Sequence, residues 1–150
     1  MALYIFTVVA IIGVSRWLAY WAYYFLKPAE IPWIADIIHF TYVENTGAAF
    51  GMFENNSGML SAISILLFLI ITYWVVSKKK VLTNDLVFAL ACVAGGGISN
   101  VVDRFTFGFV IDYVYFKFID FAVFNLADTC VVLGTIYVGI KILMAKDEKK

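Results

Sequence analysis

FAVFNLADTCVVLGTIYVGIKILM, from Phe121 to Met144, reads as a membrane-crossing helix with a carboxylate inside it. An apolar run of this length meets the roughly 20 residues a helix needs to cross about 30 Å of hydrocarbon. If the helix begins near Phe121, Asp128 sits about two turns into the span, with Asn125 three residues earlier on the same face. A carboxylate at that depth is costly. It is expected to face neighbouring helices or a wet cavity, either as a functional group or as an inter-helix hydrogen bond.

Three more runs of similar character lie upstream, at about Leu3 to Leu26, Met59 to Ser77 and Leu86 to Val102. The fold class is therefore an all-α membrane protein with four transmembrane helices. A hydrophobic content of 63% and a mean hydropathy of +0.91 agree with it, since soluble domains hold roughly 45–50% apolar residues. Residues 1–150 form one integral-membrane domain, with outward segments at about 27–58 and 103–120. The first run is too long for a removable signal peptide and lacks the basic start and small-residue cleavage site of one, so it is expected to stay in the mature chain. Eleven basic and eleven acidic residues give a net charge of zero, which provides no field for a nucleic-acid partner. Cys92 and Cys130 lack metal or redox spacing and read as small core residues.

Short linkers make successive helices antiparallel. Lys78, Lys79 and Lys80 follow the second run and Lys146, Lys149 and Lys150 follow the fourth, whereas the opposite segments hold Lys27, Arg104 and Lys117. The positive-inside tendency puts both termini and the lysine loop in the cytoplasm. In the first outward segment IIHFTYV, Ile37 to Val43, is β-branched and aromatic and reads as a strand in a small element lying on the membrane. Glu30, Asp36 and Glu54 read as solvating charges of that segment.

The third run ends in AGGGISNVVDRF, whose Gly95, Gly96, Gly97 and Ser99 suit close helix contacts. Asn100, Asp103 and Arg104 follow at helical spacing, as a solvated junction or as a polar cluster inside the bundle. Asp112 lies in GFVIDYVYF, too apolar for an ordinary loop, and a segment pressed against the bundle mouth would bring it level with Asp128. Two close carboxylates share a proton and titrate as a unit. One can then activate water while the other donates a proton, which is aspartic peptidase chemistry. His39, the only histidine, has no serine or cysteine at motif spacing and reads as a packing residue of the strand. HExxH, Walker and dinucleotide signatures are absent from the sequence.

ENTGAAFG (Glu44–Gly51), GGGISNVVDR (Gly95–Arg104), GFVIDY (Gly108–Tyr113) and FNLAD (Phe124–Asp128), in this order, resemble the lipoprotein signal peptidase family, signal peptidase II. The resemblance spans about Phe40 to Gly134. It implies a multi-pass aspartic endopeptidase of the bacterial cytoplasmic (inner) membrane, both termini cytoplasmic and active site outward. Its substrates would be prolipoproteins carrying a diacylglyceryl cysteine, cut just before that cysteine, with membrane lipids as further partners, no metal or cofactor, and the chain acting as a monomer. By resemblance Asp112 and Asp128 are catalytic. Asn45, Asn100, Arg104 and Asn125 are active-site polar residues, and Gly47, Ala48, Ala49, Phe50 and Asp103 belong to structural motifs. The first helix departs from the family's Asp-x-x-Ser/Thr-Lys, with Ile12 and Arg16 in place of the acid and the lysine, and Ser99 stands where glycine is usual. Arg16 is expected to snorkel outward or to pair with Asp103. Two other classes fit a membrane bundle with clustered acids: a silent binder of lipidated peptides, and a small proton- or ion-translocating protein.

Overall fold

Four apolar helices account for most of the computed structural model, which describes residues 1–27, 30–34, 37–47, 53, 56–119 and 121–147. They are α1 (Ala2–Phe25), α2 (Ser57–Ser77), α3 (Asn84–Phe107) and α4 (Leu126–Asp147). All four are long and apolar enough to cross a membrane, where only a helix or a closed barrel can satisfy its own backbone. Between them lie β1 (Ile31–Ile34), β2 (Ile38–Asn45) and β3 (Val110–Phe116), paired antiparallel in the order β1-β2-β3. A 3-10 turn at Lys117–Ile119 follows β3.

Helix α3 is the centre of the bundle and packs against α1, α2 and α4. Its small residues are what permit this. A Cβ on Gly95 would lie 3.2 Å from the Val8 backbone of α1, and one on Gly96 would lie 2.4 Å from the Ala127 carbonyl oxygen of α4. Lower in the same contact, Gly134 of α4 faces the Ala89 carbonyl, where a Cβ would come within 2.7 Å. Ala91 and Ala94 are buried on α3, while α2 and α4 turn Leu66, Leu69, Ile142 and Leu143 outward, as helices bordering lipid do.

The expected strand is present. It is β2, running two residues past Val43 to Asn45, and it has a partner on each side. Two boundaries differ from the sequence reading. Helix α3 continues past Val102 to Phe107, so Asp103 and Arg104 are helical; the helix ends where Gly108 adopts the left-handed conformation at φ 86°, a conformation glycine takes without a side-chain penalty. Helix α4 begins at Leu126, and hydropathy could not mark that start because Phe121–Phe124 is as apolar as the helix. Phe124 is instead extended and bridges to Val114 of β3, with Val114 N–H donating to the Phe124 carbonyl at 2.8 Å and Phe124 N–H donating back at 3.0 Å.

Candidate active site

Asn125 is the hinge between that bridge and α4. Its Oδ1 accepts the Asp128 N–H at 2.9 Å, and its own N–H donates to Asp128 Oδ2 at 3.2 Å. This is a reciprocal capping box, which fixes the first turn and gives its unpaired amides a partner. Asp128 is thus in the first turn of α4, two residues after its start, and not two turns inside. A carboxylate there also meets the positive end of the helix dipole.

Asp112 reaches the same point from β3. Alternation along the strand puts Asp112 and Tyr113 on opposite faces, and both are buried. Asn45, at the end of β2, donates from Nδ2 to Asp112 Oδ2 at 2.8 Å, and Asn125 donates from Nδ2 to Asp112 Oδ1 at 2.7 Å. Asn100 of α3 donates from Nδ2 to Asp128 Oδ1 at 2.7 Å. Asn125 therefore touches both acids, with its amide on Asp112 and its carbonyl oxygen on the Asp128 backbone. Burial, and after it the neighbouring Asp128 carboxylate, push Asp112 from the ordinary 3.8 up to about 7. A buried Asp112 and a half-buried Asp128 that face one space favour one shared proton on the pair.

That space is a cavity of about 530 Å³ between α2, α3, α4 and the end of the sheet. Asn45, Gly47, Asn100, Arg104, Asp112 and Asp128 line its end nearest the sheet, and below them the wall is apolar, with Ile63, Leu67 and Phe68 from α2 and Val131 and Val132 from α4. Arg104 Nη2 donates to the Gly47 carbonyl at 2.9 Å, and the Gly47 N–H donates to Asn45 Oδ1 at 2.9 Å. The cation thereby ties the loop after β2 to α3 and offsets part of the acids' charge. Ala48, Ala49 and Phe50, the rest of that motif, lie outside the described residues.

Asp103 does not join this group. The spacing read from the sequence places it on one face with Asn100 and Arg104, but in the bundle that face divides. Asn100 and Arg104, four apart, look into the cavity, while Asp103 is buried toward α1 and pairs with Arg16. Its other oxygen, Oδ2, accepts the Ile111 N–H at 3.5 Å, one residue before Asp112. The Arg16 guanidinium also lies 5.8 Å from the centroid of the Phe107 ring, within cation–π range. Of the two fates expected for Arg16, pairing is the one found. Ser15 and Ser99 border the same interior, and neither hydroxyl has a hydrogen-bond partner among the described residues.

Two contacts were not anticipated from sequence. The Tyr113 hydroxyl accepts the Leu126 N–H at 3.0 Å, joining the strand of one acid to the helix of the other. Its place directly after Asp112 in an apolar strand is the signal that could have drawn notice. His39 is buried in β2 with its Nδ1 against Glu30 Oε1, so Glu30 serves as its partner as well as a surface charge.

The chain is similar to known proteins along most of its length. The family model described as signal peptidase (SPase) II matches residues 4–144. A lipoprotein signal peptidase of Clostridioides difficile (strain 630) is 34% identical over 149 residues, covering 99% of each chain. One from Clostridium acetobutylicum is 38% identical over 142 residues, covering 91% of this chain and 90% of its own. A solved bacterial membrane enzyme superposes with a TM-score of 0.90 at 22% identity, over 100% of this chain and 93% of that one; at this identity the likeness speaks for the fold. Neither an ion-translocating bundle nor a silent peptide binder is favoured by these relatives. With a family model spanning nearly its full length and relatives above 30% identity end to end, the chain belongs to the signal peptidase II family.

Proposed function

We propose that this multi-pass membrane peptidase is of the aspartic type and that Asp112 and Asp128 are its catalytic pair. The observation that supports this most is Asn125, whose side-chain amide donates to the Asp112 carboxyl at 2.7 Å and whose backbone N–H donates to the Asp128 carboxyl at 3.2 Å, at the mouth of one cavity. Ionised, one acid takes a proton from water as the water attacks the scissile carbonyl carbon; protonated, the other delivers its proton to the carbonyl oxygen. The tetrahedral intermediate collapses when the acid that took the water's proton passes it to the leaving nitrogen and the other acid recovers its proton from the hydroxyl that becomes the new carbonyl, which restores the pair. Asn45 and Asn100 hold the acids in place, and Arg104 limits the charge that builds up around them.

The substrate is a prolipoprotein whose cysteine bears a diacylglyceryl group. Cutting falls just before that cysteine, with the signal peptide entering between helices and the acyl chains lying along the apolar cavity wall. Residues 1–150 act as one domain in a bacterial inner membrane, as a monomer, with both termini cytoplasmic and the sheet outside. The termini are inferred from the lysines after α2 and α4; one chain supplies both acids, so the proposed site needs no second copy.

The test is cleavage of a synthetic diacylglyceryl prolipoprotein by the purified protein in lipid. The expected result is a released signal peptide and a product whose first residue is the lipidated cysteine. No cleavage, or cleavage at another bond, would contradict the assignment.

A further inference from the structure

Below the acids the cavity is walled almost wholly by hydrocarbon side chains, with Ile63, Leu67 and Phe68 on the α2 side. Ser64 interrupts that wall. Thr129, the other hydroxyl in it, already donates from Oγ1 to the Asn125 carbonyl at 2.9 Å, while Ser64 makes no hydrogen bond to any described residue. Serine within a helix commonly bonds back to its own preceding turn; here that bond is not made. Ser64 packs beside Gly97 of α3, where a Cβ would stand at an ordinary contact distance of 4.0 Å from the Ser64 Cβ, and both residues line the cavity. Gly97 lies three residues before Asn100, whose amide holds Asp128. At about 1.5 Å of rise per residue, Ser64 is roughly one helical turn deeper than the acids.

We infer that Ser64 is a specificity-determining residue whose hydroxyl donates a hydrogen bond to an ester carbonyl of the substrate's diacylglyceryl group. The inference rests on the peptidase reading above and adds the atom by which the lipid is recognised. A cysteine bound at the acids carries its glyceryl esters only a few bonds beyond the sulphur, which suits a donor about one turn below. Those esters accept hydrogen bonds and donate none, and Ser64 has a proton to give. A carbonyl of the signal peptide could take the same proton, so the experiment separates lipid from peptide.

Two substrates of identical peptide sequence serve, one with ester-linked and one with ether-linked chains, the ether having lost the carbonyl acceptors. For the unaltered protein KM for the ester is expected to be about three- to tenfold below that for the ether, the range one net hydrogen bond supplies. Ser64→Ala is expected to bring the two KM values together, and Ser64→Thr, which keeps a hydroxyl, to preserve the gap. The ratio of KM values is the reading because uniform loss of packing would move both substrates alike. Equal KM values for the unaltered protein, or a gap that survives Ser64→Ala, would overturn the inference while leaving the peptidase reading in place. Absence of cleavage of either substrate by the unaltered protein would overturn that reading, and this inference with it.

Discussion

Burial, and after it the neighbouring Asp128 carboxylate, push the Asp112 carboxyl up to about 7, and from this a pH dependence is expected. Its folded value stands above its ordinary 3.8, so the folded protein binds more protons than the unfolded chain between about 4 and 7. Across that window the group's contribution to stability falls as pH rises. The shared proton goes with it: kcat/KM on a diacylglyceryl substrate is expected to fall about tenfold per pH unit above roughly 7, on an alkaline limb read directly from a pH–rate profile. A flat profile to pH 9 would contradict the shared-proton account. At the buried Arg16–Asp103 pair, Arg16→Leu would leave an uncompensated carboxylate beside Ile111 and is expected to cost about 3–5 kcal/mol. Adding Asp103→Asn, which removes the charge and keeps an acceptor for the Ile111 N–H, should recover most of that loss in thermal unfolding in detergent. Both acids of the proposed pair were legible as single residues, because carboxylates in apolar surroundings stand out. The direction of Asp103 was not, since helical spacing of three and four covers two faces that only the neighbouring helix tells apart.

Helix α3 shows at the level of elements why the site is held so closely. Its glycines bring α1 and α4 to within backbone contact, and Gly96 lies one turn before Asn100. Gly96→Ala would drive a methyl group into the Ala127 carbonyl, 2.4 Å from the new Cβ. Because that contact is backbone and cannot rotate away, a loss of about 1–3 kcal/mol is expected, with activity falling further as α4 shifts Asp128 off the Asn100 amide; unfolding and turnover measured together distinguish the two effects. Gly97→Ala, whose Cβ would stand at an ordinary contact distance of 4.0 Å from the Ser64 Cβ, is the control and should be close to neutral in unfolding. The presence and type of all four helices could be read from run length and hydropathy alone. The start of α4 could not, since Phe121–Phe124 is apolar in either state and the β3 bridge decides it; an asparagine three residues before an aspartate was the capping signal in the sequence.

Across the whole molecule, polar chemistry gathers at one end of an apolar bundle. Lysines stand at the other end, with Lys78, Lys79 and Lys80 exposed after α2. The proposed orientation is testable in sealed vesicles or intact cells with a membrane-impermeant maleimide. Lys117→Cys, beyond β3, is expected to react from outside, and Lys79→Cys only after the membrane is opened; the reverse pattern would invert the topology and put the acids in the cytoplasm. The sheet was legible only through β2, because β1 is four residues long and β3, at seven, reads as an apolar segment until its pairing with β2 is seen; the extent of the cavity was not legible, being a property of how α2 packs on α3 and stands away from α4.

The catalytic pairing of Asp112 and Asp128 is tested most directly by turnover of a diacylglyceryl prolipoprotein with Asp112→Asn, Asp128→Asn and the double variant. Groups that act as a unit lose their effect together. Each single variant is expected to lose at least about a thousandfold in kcat while still binding substrate, and the double variant to be no slower than the worse single. Retained cleavage in either single variant, or losses that multiply in the double variant, would contradict the pairing.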